Sequence, residues 1–278
     1  MIAVTPRDTG YPSRVLALVH PPDPLWIDGD PAALAARTVA IVGTRRMTAY
    51  GERVARELAG ACAGAGVVVV SGFAQGIDSA AHRGALDAGG RTVAVLGEGI
   101  ALFVATVRGR RRPLVPRVRA NGALVSQYAP TFCAQPWTFV KRNATIAALA
   151  EVVVVIEAGE RSGALITAED ARRLGRPLFA IPGPIGSAAS VGTNALIASG
   201  QARALISAAV LLHVLGQPAL AATASADPVL EALASGPLDF DSLARRAGRG
   251  RAATETALAT HLLDGSVVMT REGMYRRA

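Results

Sequence analysis

Lysine is almost missing from this chain: Lys141 stands alone against 28 arginines in 278 residues. That ratio is what GC-rich coding produces, and it says little about function. The net sign says more. With 29 basic residues against 21 acidic ones the formal charge is +8, and a positive field favours polyanions such as nucleic acid or anionic lipid. No strongly basic amphipathic segment is present, which disfavours a lipid surface. Aromatics are scarce at 4%, so the core must be built from aliphatic side chains and alanine. The two cysteines, Cys62 and Cys133, are not in a metal-ligand spacing. Their small and apolar neighbours predict buried free thiols.

No apolar run is long enough to span a membrane. Met1 is followed by a polar, proline-containing stretch rather than a basic segment and an apolar core, so no signal peptide is read. The expectation is a soluble, cytoplasmic protein. The usual signatures of chemistry are missing as well. There is no Walker A lysine motif, no metal cluster, no Ser-His-Asp arrangement and no pair of carboxylates placed for acid–base work. No catalytic residue, cofactor or metal is expected. Asp78 reads as a helix N-cap and His82 as a structural hydrogen-bonder.

What is present is alternation. Residues 1–37 read as a lead-in, with Pro21-Pro22-Asp23-Pro24 against regular structure. Strands are predicted at Thr38–Val42, Val67–Val70, Thr92–Leu96, Val152–Ile156 and Pro177–Ile181, with a short one near Ala204–Ile206. Several are apolar throughout, as strands buried on both faces of a parallel sheet are. Helices are predicted at Gly51–Ala63, Ser79–Ala88, Asn143–Ala150 and Ala168–Leu174, the last with a capping-box start at Thr167. This order argues for an α/β fold: an extended Rossmann-like, mostly parallel sheet with helices on both faces, over residues 38–216. Residues 217–226 are small and uncharged and read as a linker. In residues 227–278, helices at Pro228–Ala234, Asp241–Ala247 and Ala252–Leu263 precede two short strands around Glu272-Gly273. That is the layout of a small winged-helix domain.

In an open parallel sheet, ligands bind beyond the carboxyl ends of the strands. Each strand here is followed by glycine, small polar residues or arginine. Gly43-Thr44-Arg45-Arg46 follows the first, and Ser71-Gly72-Phe73-Ala74-Gln75-Gly76-Ile77-Asp78 the second. Gly159-Glu160-Arg161-Ser162-Gly163 lies beyond the fourth. Glycines let a backbone approach an anion, helix N-termini add partial positive charge, and arginines add bidentate contacts. A dinucleotide is disfavoured, because Arg45 stands where a second glycine would make room for the pyrophosphate. Lys141-Arg142-Asn143 follows Trp137 and Phe139, and basic residues interleaved with aromatics suit single-stranded nucleic acid. Arg108–Arg119 holds six arginines and no acid; a DNA track and a solvated loop fit it equally.

Together these motifs resemble the DprA/Smf family, the DNA-processing proteins of natural transformation. The resemblance is carried by Val42-Gly43-Thr44-Arg45, Tyr50-Gly51, the octapeptide Ser71–Asp78, Ala81-His82, Arg142-Asn143, Ser162–Ala168, Pro182-Gly183 and Gly192-Thr193-Asn194. It runs from about Tyr11 to the C-terminus. It implies a homodimer that binds and protects single-stranded DNA and helps load the RecA recombinase. By position, Arg45 would grip the backbone and Ser71, Gly72, Gln75 and Gly76 would line the pocket. Lys141, Arg142 and Asn143 would hold the strand from a facing loop, and Ser162, Gly163 and Thr167 would complete the cradle. The chain departs from the family pattern in Gly99–Ala105, including Ala101 and Val104, and at Gln127 and Ala144, positions that would touch the pocket rim.

Two other classes are weighed against this. Lysine-decarboxylase-like phosphoribohydrolases share this kind of sheet, but their glycine-rich signature carries a glutamate, and none is in reach of Pro182–Ser187. A winged-helix transcription regulator is the other. Residues 225–278 hold seven arginines and seven acids, and a neutral module fits a protein partner at least as well as a DNA groove.

Overall fold

The computed structural model describes residues 1–216, 227–263, 266–270 and 273–277. The chain divides into two units, Met1–Leu220 and Ala221–Ala278. The expected linker 217–226 and Glu272 lie outside the described residues.

The first unit is built on a nine-stranded sheet. Its strands are β1 (Ile2–Val4), β2 (Leu25–Gly29), β3 (Thr38–Val42), β4 (Val68–Ser71), β5 (Thr92–Leu96), β6 (Gly122–Ser126), β7 (Val152–Val155), β8 (Leu178–Ala180) and β9 (Arg203–Ala204). Its helices are α1 (Ala32–Ala35), α2 (Ala49–Gly64), α3 (Ile77–Asp87), α4 (Ile100–Thr106), α5 (Leu114–Ala120), α6 (Pro136–Leu149), α7 (Gly163–Arg173), α8 (Val191–Ala198) and α9 (Ala208–Val214). The spatial order is β1-β2-β6-β5-β4-β3-β7-β8-β9. Pairing is parallel from β6 to β9 and antiparallel at β2–β6 and β1–β2.

The all-apolar strands are explained by two covered faces. Val39, Ile41, Val69 and Val154 pack against Leu58 and Cys62 of α2 and Ile77 and Ala81 of α3. Their neighbours Ala40, Val42, Val70 and Val155 pack on the other face against Ile146 of α6 and Ala164 and Ala168 of α7. Over β5 and β6, Leu96 and Leu124 meet Phe103, Leu114 and Val118 of α4 and α5. This is the Rossmann-like, mostly parallel α/β architecture that the alternation predicts.

Several local readings are corrected. Residues 1–37 are more than a lead-in: β1 and β2 extend the sheet, with Ile2 opposite Ile27 and Ile27 opposite Val125. Both strands are short and separated by the proline run, so neither shows a period. β6 is not among the predicted strands, since Gly122 and Ser126 leave an apolar run of only three residues, Ala123–Val125. Cys62 is buried, and burial pushes its thiol up to about 12, but Cys133 is exposed.

The second unit contains α10 (Pro228–Ala232), α11 (Phe240–Ala247), α12 (Arg251–Leu263), β10 (Val267–Met269) and β11 (Tyr275–Arg277). The two strands pair antiparallel. Leu238, between the first two helices, also exchanges backbone hydrogen bonds with Tyr275, at 2.9 and 2.8 Å. Val229, Leu233, Leu243, Leu258 and Val267 form the core.

Candidate functional site

β3 lies between β4 and β7. The chain moves outward from β3 through β4, β5 and β6, then returns to the other side of β3 with β7. That reversal is a topological switch point, where the loops following adjacent strands diverge and leave a crevice. A cavity of about 440 Å³ opens there. Its walls are Gly43–Arg46 after β3, Ala74 and Asp78 at the start of α3, Phe139, Arg142 and Asn143 of α6, and Arg161–Ala164 and Thr167 around the start of α7.

The loop after β3 is pinned. The Thr44 N–H donates to Glu157 O at 2.7 Å, the Ile77 N–H donates to Thr44 O at 3.2 Å, and the Arg46 N–H donates to Thr44 Oγ1 at 3.1 Å. Gly76, at φ +90°, allows the close approach: a Cβ there would lie 2.3 Å from Thr44 O. Arg45 and Arg46 are therefore exposed side chains on a fixed backbone. Across the cavity, the Ser162 side chain caps α7 by accepting from the Ala164 N–H at 3.3 Å. The first-turn N–H groups of a helix have no partner within it and favour an anion. Asn143 Nδ2 donates to Gly163 O at 3.2 Å and ties α6 to that terminus.

Beneath the cavity lie two buried charged side chains, Arg142 and Asp78. Arg142 is 5% exposed, and its Nη1 donates to Gly72 O at 2.5 Å and Val95 O at 2.6 Å. Asp78 accepts from the N–H groups of Gly72 at 3.1 Å and Ala74 at 3.3 Å. Burial pushes the Asp78 carboxyl up, against the opposing pull of Arg142 and these donors. Asp78 is the one carboxylate among the lining side chains, against Arg45, Arg46, Arg142 and Arg161. The cavity is thus cationic.

Of the residues singled out in the sequence, Gly43, Thr44, Arg45, Arg46, Phe139, Arg142, Asn143, Ser162, Gly163 and Thr167 meet around this cavity. Gly72 and Gln75 line an adjoining recess of about 260 Å³ with Arg45 and Arg111, and Gly76 lines a groove beyond it. Ser71 is buried behind the wall, its Oγ donating to Ile41 O at 2.6 Å. Lys141 is not at the cavity. Its Nζ sits 5.3 Å from the Trp137 ring centroid, in a separate cavity with Val19, Tyr128 and Asp170.

The reason is helical phase. The expected loop Lys141-Arg142-Asn143 is the middle of α6, which starts at Pro136, with the Gln135 N–H donating to Thr138 Oγ1 at 3.2 Å. Successive helical residues are rotated by roughly 100°, so Lys141 and Arg142 face different ways. Gln135-Pro136 was the missed signal, since proline favours the first helical position. Likewise α7 starts at Gly163 with Ser162 as cap, so Thr167 is a buried mid-helix residue rather than a capping-box start. Gly76, not Asp78, holds the N-cap position of α3.

Arg161 also lines the cavity; its place in the loop Gly159–Gly163 beyond the fourth predicted strand is the sequence signal for it. None of Ala101, Val104, Gln127 and Ala144 lines it. Gln127 and Ala144 belong to the Lys141 cavity instead. His82 has the structural place expected: Nδ1 is 2.7 Å from Thr92 Oγ1, which itself donates to Val69 O. With that hydroxyl proton used, the imidazole proton is on Nδ1. Burial, with help from Arg83 and Arg142, pushes its pKa down to about 3.

The sequence profile of the DNA recombination-mediator protein A family matches residues 2–216. The chain belongs to this family. Curated relatives include a putative DNA processing protein DprA of Mycobacterium tuberculosis, 44% identical over an alignment of 211 residues that covers 71% of this chain and 53% of that protein. Protein Smf of Escherichia coli is 40% identical over 192 residues, 68% of this chain and 50% of that protein. The chain spans about half the length of these relatives. Among solved structures, DprA from Streptococcus pneumoniae superposes with a TM-score of 0.71 at 33% identity, covering 76% of this chain and 73% of that one. DNA processing protein A from Helicobacter pylori, in a structure described as giving insight into its unique single-stranded DNA binding mode, gives 0.67 at 30% identity, covering 73% and 92%.

Proposed function

We propose that this member of the family binds single-stranded DNA in the cavity at the switch point, without cutting it, and acts as a recombination mediator. One observation carries the reading. Exposed Arg45 and Arg46, on a pinned loop, face the N-terminus of α7 across a cationic cavity lined by the half-buried Phe139 ring. Guanidiniums and helix N–H groups suit phosphate, and an aromatic face suits an unpaired base. A cavity of about 440 Å³ has the size of a small-ligand site. It suits a splayed nucleotide rather than a duplex with its bases stacked inside.

Mobility shifts of equal-length single and double strands across a salt series test this. Tighter, salt-sensitive retention of the single strand is expected. Equal retention of the duplex, or binding indifferent to salt, counts against it.

The finer roles rest on family membership: a homodimer that protects single-stranded DNA and helps load the RecA recombinase. Faster RecA nucleation on the strand in the presence of this protein is expected, with a dimer in light scattering. The second unit reads as a winged helix, supported by its three helices, its hairpin and the Leu238 bridge. Its balanced charge fits a protein partner at least as well as a DNA groove. Removing residues 225–278 should leave most single-strand affinity in place.

A further inference from the structure

The arginine-rich segment 108–119 takes no part in the cavity at the switch point. It walls a separate groove of about 720 Å³. Arg108, Arg110 and Arg111 line it from the segment between α4 and α5, Arg117 from α5, Arg56 from α2 and Arg83 from α3. Glu52 is the one carboxylate in the lining. Asp87, just outside, pairs with both Arg56 and Arg117 at 2.8 Å. Other guanidiniums are held by carbonyls: Arg83 donates to Arg110 O at 3.1 Å, Arg108 to Ala105 O at 2.9 Å and Arg111 to Phe73 O at 3.2 Å. Such bonds fix the cations in place without neutralising them. Glu98 stands beside Arg111 in the adjoining recess, and six guanidiniums against these three carboxylates still leave a positive surplus, which is relieved by a polyanion.

The groove is also connected. Arg45 lines both the switch-point cavity and the recess beside it, and Gln75 and Arg111 line both that recess and the groove. The connected path turns from the carboxyl edge of the sheet onto the face covered by α2, α3 and α5. We infer that the groove carries the continuation of the strand seated in the cavity, holding its phosphates on arginines without reading its bases. This rests on the single-strand reading of the cavity. A flexible single strand follows such a turn, whereas a stiff duplex resists bending over so short a path.

The test compares the wild type with the double variant Arg108→Ala/Arg110→Ala, both sites being exposed. Oligothymidylates of about 5 and about 25 nucleotides, bracketing common single-strand site sizes, are titrated across salt by fluorescence anisotropy. The short oligomer should bind both proteins equally. On the long one the variant should lose roughly tenfold in affinity, and its log–log salt slope should shrink by about 1.4, at about 0.7 per phosphate contact. Arg110→Gln alone should give about half that change, which guards against a folding defect in the double variant. Unchanged affinity and slope on the long oligomer overturn the groove. So does equal loss on both lengths, or loss confined to a duplex of the same length. A wild type that binds neither oligomer overturns the cavity reading itself, whereas short-oligomer binding with no length effect overturns the groove alone.

Discussion

Arg142 and Asp78 hold the same residue from two sides: the guanidinium donates to Gly72 O at 2.5 Å while the carboxylate accepts from the Gly72 N–H at 3.1 Å. Both are buried. A Cβ on Gly72 would meet the Asp78 carboxylate at 2.7 Å and the Arg142 guanidinium at 2.8 Å, so the pair closes on a residue with no side chain. The floor of the cavity is this clamp, and the walls depend on it.

Arg142→Ala therefore acts on stability first. It frees two buried carbonyls, at about 1–3 kcal/mol for each buried acceptor left without a donor, and removes the positive charge that pulls the Asp78 carboxyl down. Urea denaturation should show it. Arg142→Lys recovers part, since an ammonium cannot reproduce the fork geometry. Full stability in Arg142→Ala with DNA binding lost would instead make Arg142 a direct contact.

Arg45→Ala should do the opposite. The side chain is exposed at the cavity mouth, so stability should change by less than about 0.5 kcal/mol. Single-strand affinity should fall and the salt slope should shrink by about 0.7. An unchanged slope would show that Arg45 touches no phosphate.

Lys141→Ala separates helical phase from sequence proximity. Lys141 lies over Trp137 in a different cavity, so short-oligomer affinity and its salt slope should stay at the wild-type values. A slope reduced as far as that of Arg45→Ala would bring Lys141 back to the strand.

Gly76→Ala tests the pinned loop. The residue combines φ +90° with a Cβ position 2.3 Å from Thr44 O. The backbone strain alone costs about 1–3 kcal/mol, and relieving the clash moves Thr44 and Arg45. Loss of both stability and single-strand affinity is expected from melting curves and anisotropy; wild-type values in both would remove the loop from the argument.

The buried His82 gives a pH dependence with a defined sign. Its folded pKa is pushed down to about 3, against about 6.5 in an unfolded chain. Between these values the unfolded state takes up a proton that the folded state refuses, so stability rises with pH across that window and is complete above it. The slope reaches at most about 1.4 kcal/mol per pH unit. Asp78, pushed up by burial, contributes in the opposite sense above its ordinary 3.8. Urea midpoints at pH 5 and pH 7 for wild type and His82→Asn isolate the histidine: the variant should lose part of the pH dependence, and equal dependence would deny His82 this role.

The sequence by itself determined the alternating α/β fold, the doubly covered sheet and the phosphate-suited loop ends. These are local facts: apolar runs of strand length, glycine and arginine immediately after them, and octapeptide-scale motifs. Gly43–Arg46 and Ser162-Gly163 meet at one cavity because the loops that follow parallel strands all open on the carboxyl edge of the sheet. Tertiary structure decided the rest. β1, β2 and β6 exist as strands because a neighbour supplies their hydrogen bonds, and nothing in their own short, unperiodic sequences announces it. The rotation of α6 about its axis, set by which residues pack on the sheet, sent Arg142 inward and Lys141 to another cavity. Six arginines scattered over α2, α3, α5 and the segment before α5 became one groove because the packing of α2, α3 and α5 brought them together, a juxtaposition that chain order does not encode.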